Sequence, residues 1–150
     1  MMLIETFKFL FNRDLLKLKQ EIESYNDQNK LWYVEQGISN SAGNLCLHLI
    51  GNLNHFIGAT LGNTGYVRNR ELEFTQKDIP ADELVKRIND TVVVVENTLT
   101  KLSDNILNED FPLLYNNEKV STMLMLTHLL THLGYHLGQI NYYRRLYDKN

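Results

Sequence analysis

Apolar side chains recur along the chain in four blocks at intervals of three and four, the spacing that lines up one face of an α-helix. Ile4, Phe7, Phe11, Leu15, Leu18 and Ile22 form the first stripe and predict a helix from Met2 to about Tyr25. Asp27 to Lys30 breaks the pattern. Leu31, Trp32 and Tyr33 then open a connection to about Asn40, with the aromatic pair read as a staple between loop and core. Leu45, Leu49, Leu53, Phe56 and Ile57 make the second stripe, behind the N-cap candidates Ser39, Asn40 and Ser41. Gly62-Asn63-Thr64-Gly65 signals a turn, and Tyr66 to Pro80 has no sustained period. Pro80 followed by Ala81-Asp82-Glu83 starts a third helix, Asp82 to Leu102. Its stripe of Leu84, Ile88, Val92, Val95, Leu99 and Leu102 runs through the β-prone segment Val92 to Val95 and outweighs it. After a second long connection, Ser103 to Val120, Ser121 caps a fourth helix that reaches Tyr147.

The polar positions sharpen this picture. Ser41 to Thr60 contains no Asp, Glu, Lys or Arg, so the second helix is expected to be buried on most sides. Its polar residues Asn44, His48 and Asn52 recur every four positions beside the apolar stripe, with His55 close to the same direction. Arg68 and Arg70, adjacent to Glu71 and Glu73, read as a mutually neutralising surface loop. Gly134 and Gly138 each cost about 1 kcal/mol in a helix interior, which predicts close approach of another helix or a ligand there. The expected fold is all-α, four helices packed as a bundle with two long connections whose topology stays open. Residues 1–150 form one domain in this reading.

All five histidines lie in the second and fourth helices. His128, His132 and His136 are spaced by four, so they stack along one helix, and Gln139 continues the stripe of His132 and His136. An i, i+4 pair of imidazoles can share a divalent ion but asks for a third ligand from elsewhere, and His48 and His55 are the available donors. Absences narrow the chemistry. No Glu-x-x-His pair occurs, which excludes a di-iron carboxylate bundle. Leu129 stands where a zincin would carry its glutamate base, so metalloprotease chemistry is unsupported. Cys46 lies about 200° around the helix from His48 and cannot easily join the same centre. Three neutral imidazoles suit zinc, nickel or another borderline divalent ion, with a position left for water or substrate.

Composition removes further classes. A formal net charge of -3 and a pI near 5.9 give no basic field for a phosphate backbone, so nucleic acid is not an expected partner. The single cysteine precludes an intramolecular disulfide, no apolar run approaches a membrane span, and Met1 to Phe11 lacks signal-peptide features. The expected location is the cytoplasm.

The segment L-C-L-H-L around His48 and the run T-H-L-G-Y-H-L-G-Q-I, with His132, His136, Gly138 and Gln139, resemble the DinB/YfiT-like metalloenzyme family. The resemblance covers essentially the whole chain. It implies a four-helix bundle with a long crossover and a divalent metal held by His48, His132 and His136. Leu137 departs from the pattern, since many members carry Arg there, and His55 and His128 fall outside the three-ligand scheme. The resemblance implies thiol-dependent transfer using a low-molecular-weight thiol, as in some members, or a damage-inducible protein without an assigned activity, as in others; hydrolase-type chemistry on a small molecule follows instead from the acidity of a metal-bound water. A second class is a non-catalytic binding or stress-response protein with a structural or vestigial metal, dimerising through an aromatic face that includes Tyr142, Tyr143 and Tyr147. A homodimer fits both.

Overall fold

Ile4, Phe11, Leu15, Leu18 and Ile22 are all buried along α1 (Leu3–Glu23), as their spacing requires. The computed structural model describes residues 2–149, which form five α-helices and no strand. The others are α2 (Ala42–Leu53), α3 (Arg70–Thr75), α4 (Ala81–Thr100) and α5 (Thr122–Tyr147). Helix α1 packs on α4 and α5, and α2 packs on α5, α4 and α3. Phe11, Leu49, Leu84, Leu99, Leu129 and Leu133 are fully shielded where these helices meet. Burying one such side chain stabilises the fold by roughly 1.5–3 kcal/mol. None of the described helices is long and apolar enough to cross a membrane.

Every residue of α2 is buried, in keeping with its lack of charge. Ser41 caps it, its Oγ accepting from Asn44 N at 3.1 Å, and Ser121 caps α5 by accepting from Leu124 N at 3.1 Å. The second helix does not run unchanged to Thr60. From Asn54 to Ala59 it widens into a π turn, with Thr60 N donating to His55 O and Gly62 N to Ile57 O, each at 3.0 Å. The wider turn shifts the angular register beyond Leu53. Trp32 staples the first connection: a Cβ on Gly43 would lie 2.7 Å from its ring, so the indole packs where only glycine leaves room.

Three expectations are corrected. The connection between the second and third long helices contains α3, whose six residues are too few to show a period. Asn69 Oδ1 caps it by accepting from Leu72 N at 3.2 Å. Asn44 Nδ2 ties it to α2, donating to Glu73 O at 3.0 Å and Gln76 O at 2.9 Å, while Lys77 Nζ donates to Asn44 Oδ1. Second, Arg68 and Glu73 do not lie in a solvated loop, since Glu73 is buried and Arg68 pairs with it. Third, a Cβ on Gly134 or Gly138 would meet nothing within 4 Å. Both face an open groove of about 540 Å³ between α5 and the Asp14 to Glu21 stretch of α1.

Candidate metal centre

The fold brings His48 of α2 against His132 and His136 of α5, and one ring nitrogen from each lies within 4.8 Å of the others. His48 Nε2 and His132 Nε2 are 3.1 Å apart. Four-coordinate ligation at 2.0–2.1 Å per nitrogen sets neighbouring donors about 3.4 Å apart, so this pair is close to a coordinating separation. Among the described residues, no carboxylate or thiol joins the three imidazoles. Cys46 is fully buried, and burial pushes its thiol up to about 12.

Two of the three rings, His132 and His136, are held in the protonation state that a metal ligand needs. Burial, reinforced by repulsion from His136 and His48, pushes His132 down to about 3. Burial also lowers His136. Both imidazoles are therefore neutral at pH 7 and keep a lone pair to give.

Around the cluster stands a set of partners that hold the rings. Glu73, only 6% exposed, faces His48 Nδ1 with Oε1 at 3.0 Å. Arg68 grips the same carboxylate, Nε donating to Oε2 and Nη2 to Oε1, both at 2.8 Å. Burial acts to raise Glu73, but the bonds from Arg68 and His48 prevail and keep it below the ordinary range. His136 Nδ1 lies 2.7 Å from Gln139 Oε1, the i, i+3 relation that the helix-four stripe places on one face. The third histidine differs: His132 Nδ1 is buried without a partner among the described residues. Asn52 Oδ1, one turn beyond His48 on α2, is a buried acceptor in the same condition.

His55 stays outside the cluster, half-buried with its ring edge-on to Phe56 at 4.7 Å. His128 is also outside. Its ring is 5.9 Å from that of His132 and 4.6 Å from Tyr115, whose hydroxyl is 3.4 Å from His128 Nδ1. Beside His136, a cavity of about 310 Å³ lies between α5 and the first connection, lined by Ser39, Asn40, Tyr135, Gln139 and Tyr143 among others. None of its lining residues is Asp, Glu, Lys or Arg. Of the tyrosines expected to form an exposed face, Tyr142 is 63% exposed; Tyr147 instead sits between Tyr33 and Tyr143, with ring centroids at 5.2 and 6.0 Å.

Sequence reasoning missed Glu73. The available signal was Gly51, a glycine in the middle of an uncharged, buried helix. A Cβ there would fall 2.0 Å from Glu73 Oε2, so its absence makes the seat for the carboxylate.

The profile of one protein family, described as "Protein of unknown function (DUF1572)", matches residues 4–150, and the chain belongs to that family. No curated protein matches it.

Proposed function

Taking membership of a family whose description leaves function open as the starting point, we propose that this chain is a DinB/YfiT-like, metal-dependent protein acting on a small molecule. In this reading the long helices form a four-helix bundle with long crossover connections, and His48, His132 and His136 hold one divalent ion, zinc or nickel. The observation that carries it is the convergence of three imidazole nitrogens from two helices within 4.8 Å, free of carboxylate and thiol ligands.

A divalent ion on three neutral histidines acidifies a water or a thiol, the chemistry of hydrolysis and of thiol transfer. The chain supplies the surroundings. Glu73 and Gln139 orient His48 and His136, and the uncharged cavity beside His136 admits a small polar molecule such as a low-molecular-weight thiol. The reading includes a cytoplasmic location.

The alternative is a non-catalytic homodimeric binding or stress-response protein with a structural or vestigial metal, and the surface of α5 favours it. Thr122 to Tyr143 contains no charged residue, yet Leu124, Tyr135 and Tyr142 are exposed at 47%, 65% and 63%. Uncharged apolar surface of that kind is suited to a second copy.

Cobalt substitution separates the two readings. Protein reconstituted with Co(II) and treated with mercaptoethanol is expected to gain a near-ultraviolet thiolate-to-cobalt band that the His132→Ala variant lacks. A Co(II) spectrum indifferent to thiol would remove thiol transfer and favour the binding protein. Absence of any Co(II) binding would remove the metal reading altogether.

A further inference from the structure

The imidazole ring of a neutral histidine carries one proton, and only the bare nitrogen can ligate. Which nitrogen is bare is decided by what the other one touches. We propose that Glu73, clamped by Arg68, is the positioning residue that fixes His48 as the Nδ1–H tautomer and turns its bare Nε2 toward His132 and His136. This inference rests on the metal reading above and adds how the chain prepares the site before any ion arrives.

The carboxylate has nowhere else to go. It is 6% exposed, and its Oε2 lies where a side chain on residue 51 would stand. Arg68 occupies both oxygens at 2.8 Å, and Asn44 holds the backbone carbonyl of Glu73 at 3.0 Å. An ionised carboxylate only accepts, so the proton in its 3.0 Å contact with His48 sits on Nδ1; Arg68 Nη2 also lies 3.4 Å from that nitrogen, but it donates to Glu73 Oε1 at the shorter 2.8 Å. His48 Nε2 is then an acceptor, and the 3.1 Å approach of His132 Nε2 becomes a donation from His132. That leaves His132 Nδ1 a bare acceptor, which matches its unpartnered state.

The proton order therefore runs one way: His132 gives to His48, and His48 gives to Glu73. His136, whose Nδ1 faces Gln139 Oε1 at 2.7 Å, keeps Nε2 bare in the same manner. Two of the three Nε2 lone pairs are thus ready in the metal-free protein. Ligation by all three needs the one proton of His132 to pass from Nε2 to its bare Nδ1, which keeps that ring neutral.

Arg68 makes this arrangement tolerable, because a buried carboxylate facing an imidazole without a counter-ion would draw a proton onto the pair. The device is spread over Gly51, Arg68 and Glu73, and none of these is a ligand.

The test uses long-range ¹H–¹⁵N NMR on histidine-labelled, metal-free protein at mildly alkaline pH. Wild-type His48 is expected to carry its proton on Nδ1. In Glu73→Ala that preference is lost, and zinc affinity measured by chelator competition falls by about 10–100-fold. Glu73→Gln, whose amide oxygen can still accept from Nδ1–H, restores the tautomer and most of the affinity. A wild-type His48 protonated on Nε2 overturns the proposal without any variant, so a Glu73→Ala chain that fails to fold leaves it testable. A folded Glu73→Ala with the wild-type tautomer and zinc affinity within about threefold of wild type overturns it equally, on the same 10–100-fold scale. Since the tautomer is read without metal, a failure to bind zinc would refute the reading above while leaving this result standing.

Discussion

Replacing Gly51 with alanine sets two effects against each other, and their sizes decide the sign. Alanine is favoured over glycine in a helix interior by about 1 kcal/mol. Against that, the new Cβ would lie 2.0 Å from Glu73 Oε2 and 2.6 Å from its Cδ. The carboxylate oxygen must retreat by about 1.4 Å or more to reach ordinary van der Waals contact, and it is pinned by Arg68 on both oxygens and by His48. Hydrogen bonds to charged groups contribute about 1.5–3 kcal/mol each, so losing or stretching two of them outweighs the helix gain. A net destabilisation of about 2–4 kcal/mol follows, on the order of 4–15 °C in Tm for a chain of this size. Gly134→Ala is the matched control: its Cβ meets nothing within 4 Å, so the gain of up to about 1 kcal/mol stands unopposed. Thermal and urea unfolding of the metal-free proteins, followed by circular dichroism, measures both. A Gly51→Ala protein as stable as wild type would refute the claim that Glu73 is rigidly seated.

Three further outcomes are expected. Lowered pKa values at His132, His136, His55 and His128 mean that the unfolded chain binds more protons than the native one below about pH 6.5. Stability is therefore fully present above that pH and falls on acidification, by about 2 kcal/mol between pH 6.5 and 5 from His132 alone; urea midpoints unchanged across that range would contradict it. Asn52→Leu removes a buried oxygen without a partner, so the metal-free protein should be as stable as wild type or gain about 1 kcal/mol, whereas a loss above about 2 kcal/mol in urea unfolding would show that the amide is satisfied. Cys46, fully buried with its thiol pushed up to about 12, should resist a thiol-specific reagent in native protein at pH 8 and react at once in urea; fast native labelling would count against the packing of α2.

The long helices were legible because each carries a stripe sustained over several turns. Even Val92 to Val95, strand-like by itself, is helical where Leu84, Ile88, Leu99 and their neighbours set the period. Ser41 and Ser121 were legible as caps because their hydroxyls meet the backbone three residues on, a relation local in sequence. The histidine cluster was half legible. Spacing aligned His132 with His136, but the choice between His48 and His55 depends on how α2 meets α5 and on the π turn that reorients the residues after Leu53.

What the sequence hid is long-range. Arg68 and Glu73 look like any charged surface segment until α3 docks on α2 and buries the carboxylate 25 residues from its histidine. Glycine misled in the same way. Gly134 and Gly138 drew attention by their place in the helix-four motif, yet a side chain fits at both and not at Gly51, whose one local mark is its place in an uncharged, buried helix.

The central claim is that His48, His132 and His136 hold one divalent ion. The most direct test is elemental mass spectrometry of untagged protein, purified without added metal and again after supplementation with zinc or nickel, for wild type, His48→Ala, His55→Ala and the His132→Ala, His136→Ala double variant. The account predicts about one ion per chain in wild type and His55→Ala, with loss of the ion in the other two, since two imidazoles seldom hold it tightly. No ion in supplemented wild type, or full retention in the double variant, would contradict it.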